Sequence, residues 1–156
     1  MRALTLIDDS TDNPQPWAWA MEAQLKTDES RTWAVPSTQR PLGWDLLICG
    51  SSKSRTHNKG LAVCVVEVYD CVPFTEEYEQ TVGCYAYNGW VWRTRNLRWL
   101  SRKFAVKGSY GIFQQELPAG VTLYVPTPEQ LAIEQQKLIR RYNLPVSSSG
   151  KQTAHR

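Results

Sequence analysis

The stretch Leu61–Cys71, LAVCVVEVYDC, is the longest β signal in the chain. Val63, Val65, Val66 and Val68 are β-branched and stiff at χ1, which suits a pleated strand better than a helix. Glu67 interrupts the apolar run. It must face solvent, a cavity or a basic partner, because a buried unpaired carboxylate is too costly. Asp45–Cys49 is wholly apolar after its first residue, so it is expected to be covered on both faces. Leu46–Cys49 and Leu61–Tyr69 are the most continuously apolar runs and are expected as neighbouring central strands. Further strands are predicted at Arg2–Ile7, within Cys84–Leu100, at Lys103–Val106, at Tyr110–Leu117 and at Val121–Val125. Asn88-Gly89 is the expected turn of a hairpin. Many strands, short turns and few helices predict an α+β fold, a small mixed β-barrel with helices packed at its ends.

Two helices are predicted. The first follows the loop DDSTDNP and covers Gln15–Leu25, with Pro16 in its first turn and Trp17, Met21 and Leu25 on one face. The charged run KTDESRTW comes next. Lys26 and Glu29 are three apart, close enough on a helical turn to share a face, whereas Arg31 need not join them. The second helix begins at Thr127-Pro128-Glu129-Gln130, which supplies an N-cap, a proline at the first position and a capping-box glutamine. It should run to about Tyr142, with Leu131, Leu138 and Tyr142 packing on the barrel, and stop at Asn143-Leu144-Pro145. Thr75–Gln80 could begin a short helix. The organisation expected is a barrel domain over 1–126, a packed helix over 127–144 and a disordered, Ser-rich basic tail over 145–156.

Charge is distributed unevenly. Residues 1–79 carry 7 basic and 12 acidic side chains, whereas residues 80–156 carry 11 basic and 3 acidic ones. Arg93, Arg95, Arg98, Arg102, Lys103 and Lys107 follow one another with no acid between Trp90 and Tyr110, and Trp92, Trp99 and Phe104 are interleaved. Arginines on phosphates beside aromatics on bases is how single strands are bound. Arg93, Arg95, Arg98 and Lys107 are the candidate phosphate contacts. A basic hairpin edge that discourages aggregation is the alternative.

The sequence PWAWAM followed by KxxExRxW resembles the signature of the ASCH domain family, in the PUA-like superfamily. Lys26, Glu29, Arg31 and Trp33 match the family's positions, and Gln24 stands where the family has glycine. The similarity extends through Leu46–Lys53, Leu61–Cys71, Trp90–Trp99 and Val106–Phe113, roughly residues 2–118. The resemblance implies a PUA-like β-barrel with a cleft beside the first helix. The cleft's expected lining is Trp17, Lys26, Glu29, Arg31 and Trp33. Ser51 and Lys53, in the loop GSSKSRTHNKG, offer a hydroxyl and a cation for anion contacts.

Two functions are compatible with these residues. One is a module that reads RNA, single-stranded nucleic acid or a modified base. The other is an enzyme acting on a modified nucleoside or nucleic acid, amidohydrolase- or ribonuclease-like, with Lys26 and Glu29 as its catalytic pair. Some ASCH proteins hydrolyse the acetyl amide of N4-acetylcytidine with a Lys, a Thr three residues later and a downstream Glu; other relatives look like RNA-binding modules. Here the plus-three position is Glu29, Thr27 lies at plus one, and Glu67, Glu76, Glu77 and Glu79 all remain open as the downstream Glu. A Lys beside Glu is a better binder of phosphate or carbonyl than a base, because the carboxylate favours the charged ammonium. An ordinary surface ion pair is the alternative.

Cys49, Cys64, Cys71 and Cys84 form no CxxC pair, and only His57 and His155 could join them, so neither a metal nor a cofactor is expected. Reduced thiols point to the cytoplasm. The apolar start of the chain is too short for a signal peptide, and no run approaches membrane-spanning length.

Overall fold

The computed structural model describes residues 1–79 and 89–143. Among these residues, seven strands and two helices follow in the order β1 (Arg2–Leu6), α1 (Trp17–Glu22), β2 (Asp28–Arg31), β3 (Trp44–Gly50), β4 (Ala62–Pro73), β5 (Trp90–Leu100), β6 (Phe113–Gln114), β7 (Leu123–Tyr124) and α2 (Pro128–Tyr142). All strands belong to one mixed sheet in the spatial order β2-β5-β4-β3-β1-β6, with β7 on β5. β3 and β4 pair antiparallel at its centre, Leu46 opposite Val66 and Leu47 opposite Val65. The two most apolar runs are therefore the neighbours expected from their composition. β1 runs parallel to β3.

The pleat sends alternate residues into two cores. Leu46, Ile48, Val66 and Val68 pack with Ala18 and Met21 of α1 and with Trp92. Leu47, Cys49 and Val65 face the other way and pack with Leu100, Phe104 and Val121. Covering on both faces is why β3 tolerates no polar residue after Asp45. The chain returns from β3 to β4 through a tight loop over residues 51–60. Gly50 has to be glycine there, since a Cβ would lie 2.2 Å from the Asn58 carbonyl oxygen.

α1 is shorter than the spacing of its apolar residues predicts. It begins after Pro16, and the Asp8 carboxylate, from the preceding loop, accepts the Trp19 N–H at 3.1 Å. It ends at Glu22, where Gln24 takes the left-handed conformation (φ 60°) and the N–H groups of Leu25 and Lys26 both return to the Ala20 carbonyl. Leu25 therefore leaves the face of Trp17 and Met21 and packs with Trp19, Ala23 and Leu138. KTDESRTW is not a continuation of the helix: Asp28–Arg31 is extended and pairs antiparallel with Trp90–Arg93 of β5.

The segment after β5 is less regular than its composition predicts. Lys103–Val106 contributes one bridge, Leu61 to Ala105, and the last two strands shrink to two residues each. The acidic stretch after β4 forms a 3-10 turn, Glu76–Tyr78, whose Thr75 makes no capping bond. Thr127 and Gln130 do form a reciprocal capping box, and α2 packs Leu138 and Tyr142 against Trp19 and Ala23. The strand start at Cys84, Asn88 of the expected Asn88-Gly89 turn and the basic tail lie outside the described residues.

The sheet curls into a half-barrel. β2 and β1 lie four places apart in the strand order, yet Arg31 of β2 donates from Nη2 to the Thr5 carbonyl oxygen of β1 at 3.2 Å. This bond spans the open seam of the curl.

Candidate functional site

The seam carries a row of polar side chains. Lys26 Nζ lies 5.0 Å from the centre of the Trp17 ring and 3.1 Å from Glu29 Oε1. Arg31 Nε lies 3.0 Å from Glu29 Oε2 on the same carboxylate. Extended backbone is what brings Glu29 and Arg31 together, because residues two apart on a strand point the same way. Lys26 is only 2 % exposed and Glu29 7 %. Arg31 and the rings of Trp17 and Trp33 are half-buried, and both indoles pack against the edge of the core. Trp33 meets Trp92 edge-on, centroids 4.9 Å apart, and its carbonyl accepts the Trp92 indole N–H at 3.3 Å. Two cations on one carboxylate leave the row with a surplus positive charge. The Glu29 carboxylate and the Trp17 ring face beside Lys26 both attract a cation.

The other residues expected in the cleft have local work. The Ser51 hydroxyl accepts the Lys53 N–H at 3.1 Å and closes a turn, and the Lys53 side chain stands in solvent. A recess of about 520 Å³ lies elsewhere, between Gln24, Asn96–Arg98, Val125, Pro126 and Leu131.

Arg93, Arg95 and Arg98 line the single strand β5, in the interior of the sheet rather than at an edge. Each meets an acid from the first half of the chain. Arg98 makes a two-pronged contact with Asp45, at 2.6 and 2.9 Å. Arg95 holds Glu67 at 2.8 Å, and Asn96 bonds the other oxygen. Arg93 lies 3.8 Å from Asp28. The Arg95 guanidinium holds the Glu67 carboxyl below its ordinary value, against a smaller opposing effect of burial. This answers what Glu67 meets inside an apolar strand. Lys107 is exposed in the following loop.

A second polar cluster was not foreseen. Glu22, at the end of α1, is buried with its Oε2 2.7 Å from Lys103 Nζ, which also donates to Asn58 at 2.6 Å. Burial pushes the Glu22 carboxyl above its ordinary value, although Lys103 and Asn58 pull the other way. His57 stands edge-on to Trp19, 4.8 Å between centroids, and the Trp19 indole donates to Glu134 of α2 at 2.9 Å. Next to it, Asp8 accepts from Thr56, while Asp9 holds Arg55 and the Tyr142 hydroxyl. The one sequence signal for this cluster is a Glu inside the apolar helix stretch; Thr56, His57 and Asn58 of the loop it meets occur once each there.

Glu67 is committed to Arg95 and Asn96, and Glu76 and Glu77 are exposed on their turn. No family model matches the chain, and no curated protein does. Among solved structures the chain is similar to the crystal structure of ASCH from Zymomonas mobilis, the family that the PWAWAM and KxxExRxW stretches resemble. The similarity covers 89% of this chain and 93% of that one, at 14% identity and a TM-score of 0.41. At that distance it carries no ligand, activity or residue role to this chain. No helix among the described residues is long and apolar enough to cross a membrane.

Proposed function

We propose that this protein is a binding module that takes a base, modified or not, from RNA or another single-stranded nucleic acid at the seam of its curled sheet. The observation that carries this reading is the row Trp17, Lys26, Glu29 and Arg31, with Trp33 beside it. Half-buried indole faces suit a planar ring, and Arg31 and Glu29 supply donors and acceptors at its edge. A free modified nucleoside offers the same ring and fits the same row. The surplus positive charge favours an electron-rich carbonyl or a phosphate. An enzyme using Lys26 as a base would need that amine neutral. Its carboxylate and indole neighbours support binding instead.

The strand β5 supports a lesser part in holding the backbone. A phosphate reaching Arg93, Arg95 or Arg98 has to displace Asp28, Glu67 or Asp45 first. Four phosphate contacts by these arginines and Lys107 would give a salt slope of nearly −3, at about −0.7 per phosphate on single strands. With the arginines already paired, Lys107 alone is left and a slope of about −0.7 is expected.

Tryptophan fluorescence titrations with single-stranded RNA and with free nucleosides, across a salt series, test the reading. Lys26→Met and Arg31→Ala should change discrimination among bases and leave most of the salt slope in place. Binding indifferent to both substitutions, or no binding to either ligand class at low salt, would remove the seam as the site. Loss of product formation in Lys26→Met with binding retained would favour the enzyme. A slope near −3 that Arg95→Ala flattens would return the phosphates to β5.

A further inference from the structure

We propose that Glu22, His57 and Glu134 form a binding site for a divalent transition-metal ion, where α1, the 51–60 loop and α2 meet. It does not rest on the seam reading. One imidazole nitrogen and two carboxylate oxygens from these residues lie within 4.8 Å of one another. In tetrahedral coordination two ligands bound at about 2.1 Å to one ion lie about 3.4 Å apart, so the widest pair must draw in by roughly 1.4 Å. The His57 side chain is 48% exposed and free to make that adjustment.

Each ligand is already oriented by a neighbour, as ligands in metal sites are. Lys103 takes Oε2 of Glu22 at 2.7 Å, while Oε1 faces the imidazole at 3.9 Å. Asn58 reaches Oε1 with only a long contact of 3.4 Å. The Trp19 indole N–H fixes Oε2 of Glu134 at 2.9 Å, and the edge of the same indole steadies the His57 ring. One nitrogen and two carboxylate oxygens suit Zn²⁺ or Co²⁺, whereas Ca²⁺ and Mg²⁺ prefer all-oxygen shells.

Charge sets the competition. Glu22 is neutralised by Lys103 and Glu134 by Lys137, so an ion has to weaken one pair. Lys137 is the one that can yield: its side chain is 57% exposed and can swing into water. Once bound, the ion would tie α2 to α1 and the loop.

The full chain, stripped of metal with a chelator, is titrated with Zn²⁺ by calorimetry and with Co²⁺ by absorption spectroscopy. One ion per chain is expected. His57→Ala should weaken binding by at least about tenfold, since it removes a ligand outright. Glu134→Gln should weaken it too, and Lys137→Ala should tighten it several-fold. His155, the only other histidine, is the internal control, and His155→Ala should change nothing. His57 is exposed, so that variant should fold, and its melting temperature in chelator checks this. Affinity unaffected by His57→Ala, a sulfur-to-cobalt charge-transfer band, or weak multi-site uptake indicating an adventitious ion only would each overturn the proposal.

Discussion

Gln24 sits in the left-handed region at the end of α1, a conformation that costs a residue with a Cβ about 1–2 kcal/mol relative to the right-handed one. The turn it makes is what sends Lys26 under the Trp17 ring instead of onward along the helix. Glycine enters that conformation without the penalty but has more freedom to lose on folding, so the two effects partly cancel. Gln24→Gly should therefore raise stability by about 0.5–1 kcal/mol, read as a higher denaturant midpoint at unchanged slope. A lower midpoint would mean that the Gln24 side chain holds the turn by contacts that glycine cannot make. Lys26 and Glu29 are a case where burial matters more than spacing. At 2 % and 7 % exposure they are not the surface pair that contributes about 0–1 kcal/mol. Each is the other's compensation for leaving water.

At the scale of elements, β5 shows how a charge pattern along a chain differs from a charge pattern in space. Its arginines look like a cationic stripe in sequence. In the sheet they lie beside β2 and β4, whose Asp28 and Glu67 meet Arg93 and Arg95, and Arg98 reaches across to Asp45 of β3. One of these pairs has a signature in pH. Glu67 is held below its ordinary value of 4.5, so its contribution to stability is present above that pH and is lost as pH falls through the lower folded value. Melting temperatures measured downward from pH 5 should decline less steeply for Glu67→Gln than for the parent protein. Identical profiles would mean that the Arg95 pair contributes nothing to folding.

For the whole molecule, the Arg31–Thr5 bond is a bridge across the seam of the curled sheet. It spans two strands that are not neighbours in the sheet, and the polar row lies beside it. Arg31→Met keeps the aliphatic stem but not the bridge. Its circular dichroism should match the parent's, while the β2 amides exchange with solvent faster by native-state hydrogen exchange. Unchanged exchange would mean that packing around Trp92 and Met21 holds the curl without the arginine.

The continuous apolarity of Leu46–Cys49 and Leu61–Tyr69 determined the central strands, because only a sheet covered on both faces accommodates such runs. Thr127, Pro128 and Gln130 likewise fixed the start of α2, since capping is a local matter of a few side chains. KxxExRxW indicated which residues gather at the seam but not their backbone: a three-residue spacing fits a helix, and only pairing with β5 made Asp28–Arg31 a strand. The neutralised arginines and the Glu22–His57–Glu134 cluster could not be read from the chain. Their partners come from distant segments, and no period or motif links residues that only the curl of the sheet and the docking of α2 bring within reach.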